Sequence, residues 1–397
     1  SYWSSYVNRS TWWHDALLAG LKIDGTEKPF YRNVGRFPMY VAPPGGALKG
    51  FGDFAEARPS PEAGAVVAYF ARMRQQPEWQ WYSQALQQSD STEDPIGFLR
   101  AARVTRRPAP AKEPTDWPKA ALFRGAGWAA LHTNLIDGRK DVQVMMRAAP
   151  LGNGSHSHAD QNGIVVGAFG SPLLVNTGLR PWYGSPFCKE WYWTTKAHNA
   201  LEIDGFGQPK TFKAKGHFAA FAPGDRFDYV AGDATDAYEN RVSRYRRHLV
   251  FIKPDILVIV DEVKAPKPVS LKFWLHGRAP FAIDAGKGRI ALEFENAALN
   301  GYLLSPAGLK IDQTDKYTIP PESGKPEPEW HLWAETKTKD TDARVVAVMG
   351  ISPAGTRVEI SDVKESIAGD TVTIEFRRGK QPMKVQVDTA RAHARMP

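Results

Sequence analysis

The sequence predicts an α+β multidomain protein: a helical N-terminal part followed by large antiparallel β-sandwich domains. Three observations carry this expectation. Apolar and aromatic residues recur at helical spacing through the first hundred or so residues. A proline-rich stretch then breaks that pattern, and beyond it the apolar residues shift towards period two.

Residues 2–23 read as a first helix on this periodicity. Residues 30–54, rich in Gly, Pro and aromatics, read as a long loop suited to shape a cleft. Residues 61–74 form a cleaner helix, with Ser60 as N-cap, Pro61 in the first turn and Glu62 complementing the N-terminus. Two shorter helices are expected over 78–86 and 95–102. The stretch 103–120 is a linker, because its four prolines rule out a helix. Strands are expected over 123–133, 141–148, 246–251, 256–262, 269–275, 345–349 and 371–376. Pro223-Gly224-Asp225, Lys253-Pro254-Asp255 and Ala368-Gly369-Asp370 supply turns between them. The resulting division is a helical part over 1–102, the linker over 103–120, a central β-sandwich over 121–300 and a C-terminal β domain over 301–397. No internal repeat is seen.

At 397 residues the chain is long enough for about two or three domains. Lys and Arg outnumber Asp and Glu by 51 to 43, a formal net charge of +8, which favours acidic partners. No nucleic-acid motif or long basic tract is present. The densest basic cluster, Arg244-Tyr245-Arg246-Arg247-His248, reads as a solvated surface strand. The single cysteine, Cys188, excludes an intramolecular disulfide. No apolar run reaches the length of a membrane span. With Ser1 first and no signal peptide, the sequence reads as a mature or processed product. Most of the thirteen tryptophans are expected in the core, although tryptophan is also a platform for sugar rings.

The most informative segment is Ser155-His156-Ser157-His158-Ala159-Asp160-Gln161-Asn162. On an extended strand His156, His158, Asp160 and Asn162 would share one face. Such a stripe is costly to bury unless a metal, a substrate or other polar groups meet it. A buried strand over 164–169, a turn at Gly170-Ser171-Pro172 and a returning strand over 173–176 follow. Asn176 then lies at the far end of a hairpin that starts beside the histidines. His198 precedes another strand-like run over 200–205. Three side chains with an open position are a common zinc arrangement. The alternative is a set of histidines hydrogen-bonded inside a sandwich.

These stretches, with Ser1-Tyr2-Trp3, Leu173 to Gly178 and the run from Lys196 to Gln208, resemble the heparinase II/III-like polysaccharide lyases. The resemblance implies that the helices are the C-terminal part of an α/α toroid set against antiparallel β-sandwich domains. It implies β-elimination on a uronate-containing, acidic polysaccharide in the cleft between them, with no redox cofactor. A base takes the C5 proton, and donors around the substrate carboxylate stabilise the enolate-like intermediate. By the same resemblance Tyr2 is the catalytic tyrosine, with Tyr6 one turn later as fallback, and His156 is the catalytic histidine. Asn162, Arg180 and Trp182 are candidate substrate contacts, with Tyr183 beside them. His158, Asn176 and His198 match positions that hold a structural zinc in relatives. Asn176 stands where Asp is usual, so zinc would bind weakly, be absent or be compensated by Asp160. A periplasmic or secreted location follows from the same likeness.

The helical segments look too few to close a toroid. A second polypeptide, a processed fragment or a reduced, noncatalytic descendant would each account for that. The competing function is a noncatalytic carbohydrate-binding or structural module with the same fold. A zinc hydrolase fits less well, because no glutamate stands at helical HExxH spacing.

Overall fold

The computed structural model describes residues 2–47, 50–53, 61–87, 107–178, 180–322 and 328–397, and for Tyr2 the backbone alone. The helical part comprises α1 (Tyr2–Leu21), α2 (Arg36–Val41), α3 (Pro61–Arg74) and α4 (Pro77–Ala85). α3 and α4 each begin on a proline, whose missing N–H costs nothing in a first turn. Val66, Val67 and Phe70 of α3 pack with Trp79 and Tyr82 of α4 in one buried cluster. α2 lies within the stretch expected to be a loop. Burial of Met39, Tyr40 and Val41 explains it, with the Tyr40 hydroxyl donating to Pro118 O at 2.6 Å. Ser60, the helix expected over 95–102 and residues 103–106 of the linker lie outside the described residues. Residues 107–119 carry neither helix nor strand.

The β part begins with a five-stranded sheet in sequential order: β1 (Ala120–Phe123), β2 (Trp128–His132), β3 (Val142–Arg147), β4 (Ile164–Ala168) and β5 (Ser171–Leu174). Next come β6 (Leu201–Ile203), β7 (His217–Ala222), β8 (Phe227–Asp233), β9 (Arg244–Ile252), β10 (Ile256–Val269) and β11 (Leu271–Gly277). They are followed by β12 (Ala282–Asp284), β13 (Arg289–Phe294), β14 (Ala297–Leu304), β15 (Leu309–Thr314), β16 (Trp330–Thr336) and β17 (Asp340–Pro353). The chain ends in β18 (Ile360–Ala368), β19 (Thr371–Arg378), β20 (Gln381–Asp388) and β21 (His393–Arg395). An eight-stranded sheet runs β12-β13-β14-β17-β10-β9-β8-β7, a four-stranded sheet β15-β16-β11-β6, and a C-terminal one β18-β19-β20-β21. The expected division at residue 300 falls inside β14, whose sheet continues to Pro353.

Packing explains the sequence pattern. In β10, Leu257 and Ile259 face a core shared with the five-stranded and β15-β16-β11-β6 sheets. Ile256, Val258 and Val260 face the C-terminal sheet. A strand covered on both faces reads as a continuous apolar run rather than as an alternation. In the five-stranded sheet, Val144 and Val166 point to the sandwich core, whereas Met145 and Val165 pack under Tyr40 and Phe51. Among the described residues no helix is long and apolar enough to cross a membrane.

Two expectations are corrected. Residues 155–162 are not a strand: Ser155 and Asn162 have φ of 54° and 60°, and the segment is a loop between β3 and β4. The basic run 244–248 is not solvated, because Arg247 and His248 are fully buried in β9.

Candidate functional site

The loop between β3 and β4 is held from below by Arg147, the last residue of β3. Its guanidinium is buried and donates to Asp160 Oδ1, Asn153 Oδ1, His158 O and Gly152 O. Gln161 reinforces it by pairing with Ala149 N and Ala149 O. A loop whose polar groups are met this way can be buried without strand pairing. It presents His156 with a half-exposed side chain and His158 fully buried.

Both histidines converge on Asp53, which arrives from the helical side of the molecule. Oδ2 accepts from His156 Nδ1 at 2.6 Å and from Arg180 Nη1 at 3.0 Å. Oδ1 accepts from Trp193 Nε1 at 2.9 Å and faces His158 Nε2 at 3.1 Å. Burial by itself raises the Asp53 carboxyl. The hydrogen bonds from His158, His156 and Trp193 outweigh burial and hold it well below the usual carboxylate range. The approach is close at the backbone too. Asp53 N donates to His156 O at 3.2 Å, and the Tyr192 hydroxyl donates to Asp53 O at 2.8 Å. At Gly52, with φ +87°, a Cβ would stand 2.9 Å from His156 O.

The rim is aromatic and cationic. Tyr183 lies edge-on to His156 with centroids 5.1 Å apart, and Trp182 and Tyr183 are both more than half exposed. Lys210 Nζ sits 4.3 Å over the Trp193 ring. Burial lowers the Lys210 ammonium, opposed by the charges of Asp53 and Asp160.

Beneath His156 lies a buried histidine pair. His158 Nδ1 faces His198 Nε2 at 2.9 Å. His158 directs its Nε2 proton to Asp53, and His198 directs its Nδ1 proton to Thr194 O at 2.7 Å. Two lone pairs therefore confront each other. A proton between them would make a buried imidazolium, and burial lowers both groups, His198 to about 4. Asp160 Oδ2, 3.9 Å from His198 Nε2, and Asn176 Oδ1 are buried with no hydrogen-bond partner. Nitrogen and oxygen donors of these kinds are those zinc takes. Among the described residues no group of three or more His, Cys, Asp or Glu is drawn together to hold a metal.

The structure thus brings together His156, Arg180, His158 and His198, and leaves Trp182 on the exposed rim. Asn162 is a correction. It is fully buried, and its amide donates to Gly232 O at 3.0 Å inside the sandwich, so it cannot meet a substrate. Tyr2 opens α1 but its side chain is not among those described; Tyr6, one turn on, is exposed. Asp53, Trp193 and Lys210 were missed. The signal for Asp53 was Gly50-Phe51-Gly52-Asp53, a glycine pair that permits close backbone approach.

The sequence pattern described as Heparinase II/III-like, C-terminal, matches residues 116–383. The chain belongs to this heparinase II/III-like family and carries the sandwich fold of its polysaccharide lyases. Among solved structures it is similar to the heparan sulfate lyase HepC from Pedobacter heparinus. That match has a TM-score of 0.77 at 14% identity and covers 98% of this chain and 58% of that one. It is also similar to a heparinase III, with a TM-score of 0.70 at 15% identity over 93% of this chain and 56% of that one. The chain therefore spans somewhat over half the length of these proteins. Among curated proteins, none matches it in sequence.

Proposed function

We propose that the protein acts in a polysaccharide lyase that cleaves an acidic, uronate-containing polysaccharide by β-elimination. One observation carries the reading: a half-exposed histidine, His156, is seated on a buried carboxylate and rimmed by Arg180, Lys210, Trp182 and Tyr183. A neutral imidazole is a suitable base for the C5 proton of a uronate. That proton is acidic enough only when cationic or hydrogen-bonding groups offset the adjacent carboxylate, a task suited to Arg180 and Lys210. Trp182 and Tyr183 offer flat faces to sugar rings. The proton for the leaving O4 oxygen is assigned to a phenol, Tyr2, with Tyr183 a second phenol beside His156. His158, His198 and Asn176, with Asp160 near them, would hold a zinc ion whose contribution is to brace the loop under His156. The reading carries a periplasmic or secreted location, where such polymers are met.

The test is growth of the ultraviolet absorbance of unsaturated uronates on a panel of alginate, glycosaminoglycans, glucuronan and ulvan. The protein is used as purified from its native host, with any polypeptide that copurifies. We expect growth on at least one member. Binding without cleavage across the panel would replace the reading with a carbohydrate-binding module, and saturated ends would replace it with a hydrolase.

A further inference from the structure

We propose that Asp53 is a positioning residue that places the proton on His156 and, through the same carboxylate, on His158. The inference rests on reading His156 as a proton-transfer group, and it deepens that reading by naming what prepares the histidine. An ionised carboxylate only accepts hydrogen bonds. Each imidazole nitrogen facing Asp53 must therefore carry a proton: Nδ1 of His156 at 2.6 Å and Nε2 of His158 at 3.1 Å. Neutral His156 is then left with its lone pair on Nε2, the nitrogen that must take a proton from a substrate. Free histidine favours the opposite tautomer, so the choice is imposed by the site.

Four donors make the imposition firm. Arg180 and Trp193 occupy the remaining lone pairs, one on each oxygen, so the carboxylate cannot rotate to serve one histidine alone. Its seat is fixed by backbone on both sides, through His156 O and the Tyr192 hydroxyl. Asp53 also lies about a hundred residues before the loop it controls. The reacting histidine is consequently prepared only when the 50–53 segment docks on the sandwich. The same carboxylate links the outer histidine to the inner pair, since the hydrogen bond it accepts from His158 Nε2 leaves the Nδ1 lone pair facing His198.

The decisive measurement is the tautomer of each histidine from long-range proton–nitrogen NMR spectra of the full chain labelled at histidine. In the unaltered protein we expect the His156 proton on Nδ1 and the His158 proton on Nε2. In Asp53→Asn the amide offers one acceptor and one donor, so one of the two histidines should switch tautomer; in Asp53→Ala both lose the acceptor. Finding the His156 proton on Nε2 in the unaltered protein would overturn the proposal. So would unchanged tautomers in both folded variants. If neither variant folds, the spectrum of the unaltered protein decides alone. On a polysaccharide that is cleaved, Asp53→Asn should lower kcat about ten- to a hundredfold, with KM within about threefold. Unchanged kcat in folded Asp53→Asn would count against it. Full turnover in His156→Ala would instead remove the catalytic reading of His156, leaving the tautomers to decide the role of Asp53.

Discussion

The loop 155–162 and the run 244–248 both set histidines beside charged side chains, yet the fold uses them in opposite ways. In the first, charge is gathered at an opening: Asp53 collects His156, His158, Arg180 and Trp193, and the His156 side chain stays 42% exposed. In the second, charge is consumed inside the sandwich. Arg247 pairs with Asp261 through Nε at 2.8 Å and Nη2 at 2.7 Å, Arg246 pairs with Asp233, and the Tyr229 hydroxyl meets His248 at 2.8 Å. The two regions are joined. Arg247 Nη1 also donates to Asn162 O and Asn199 O, each at 2.7 Å, which ties down the ends of the segments bearing His158 and His198. What separates a site from a brace is therefore access rather than residue type.

The comparison can be broken at Arg247, where the largest effect is expected. Arg247→Met leaves the Asp261 carboxylate buried without its bidentate partner and strips a donor from two carbonyls. Losing one partner of a buried pair typically costs about 3–5 kcal/mol. Urea unfolding of the full chain should show a loss of that size. A loss under about 1 kcal/mol would mean that the run is the solvated strand its composition suggested.

That pairing was within reach of the sequence. Counting outwards from the Lys253-Pro254-Asp255 turn sets Ile252 opposite Ile256 and Arg247 opposite Asp261, as observed. Charge density alone concealed it. α3 was legible to the residue because Pro61 and the apolar face agree. The first half of β10, residues 256–262, was legible because an apolar run buried on two faces has few alternatives. The loop 155–162 was misread because alternating polar residues mimic a half-buried strand, and that alternation masked the turn signal of Asn162-Gly163 at its end. His156, His158 and His198 were found through their residue types. Asp53 was not, because an isolated aspartate in a glycine-rich loop declares no partner until the tertiary fold supplies one.

The comparison is sharpened at His156, which should behave as a site residue and not as a brace. His156→Ala removes a half-exposed ring and leaves Asp53 three other donors. Its stability should stay within about 1 kcal/mol of the unaltered protein, as for substitutions outside the buried networks. Turnover on a cleaved polysaccharide should fall about a hundredfold, the usual scale for a lost acid or base. Unfolding curves and initial rates on the same preparation give both numbers. A large stability loss with turnover per folded molecule unchanged would move His156 into the bracing class.

The smallest effect tests the other end of the comparison, at His248. Burial, joined by the charges of Arg246 and Arg244, pushes this imidazole from an ordinary 6.5 down to about 3. Its Nδ1 is hydrogen-bonded with the Tyr229 hydroxyl, and Nε2 is buried without a partner. The unfolded chain therefore binds this proton first. The stability that a neutral His248 contributes is complete above about pH 6.5 and is lost as pH falls towards about 3. One such group contributes a slope of at most about 1.4 kcal/mol per pH unit inside that window. His248→Asn cannot take up the proton, so its stability should fall less steeply between pH 7 and 5, by on the order of 1–2 kcal/mol. Parallel urea titrations at the two pH values measure the difference. Identical slopes would show that His248 finds its proton a partner in the folded state, and that the inner run is more open to water than its packing implies.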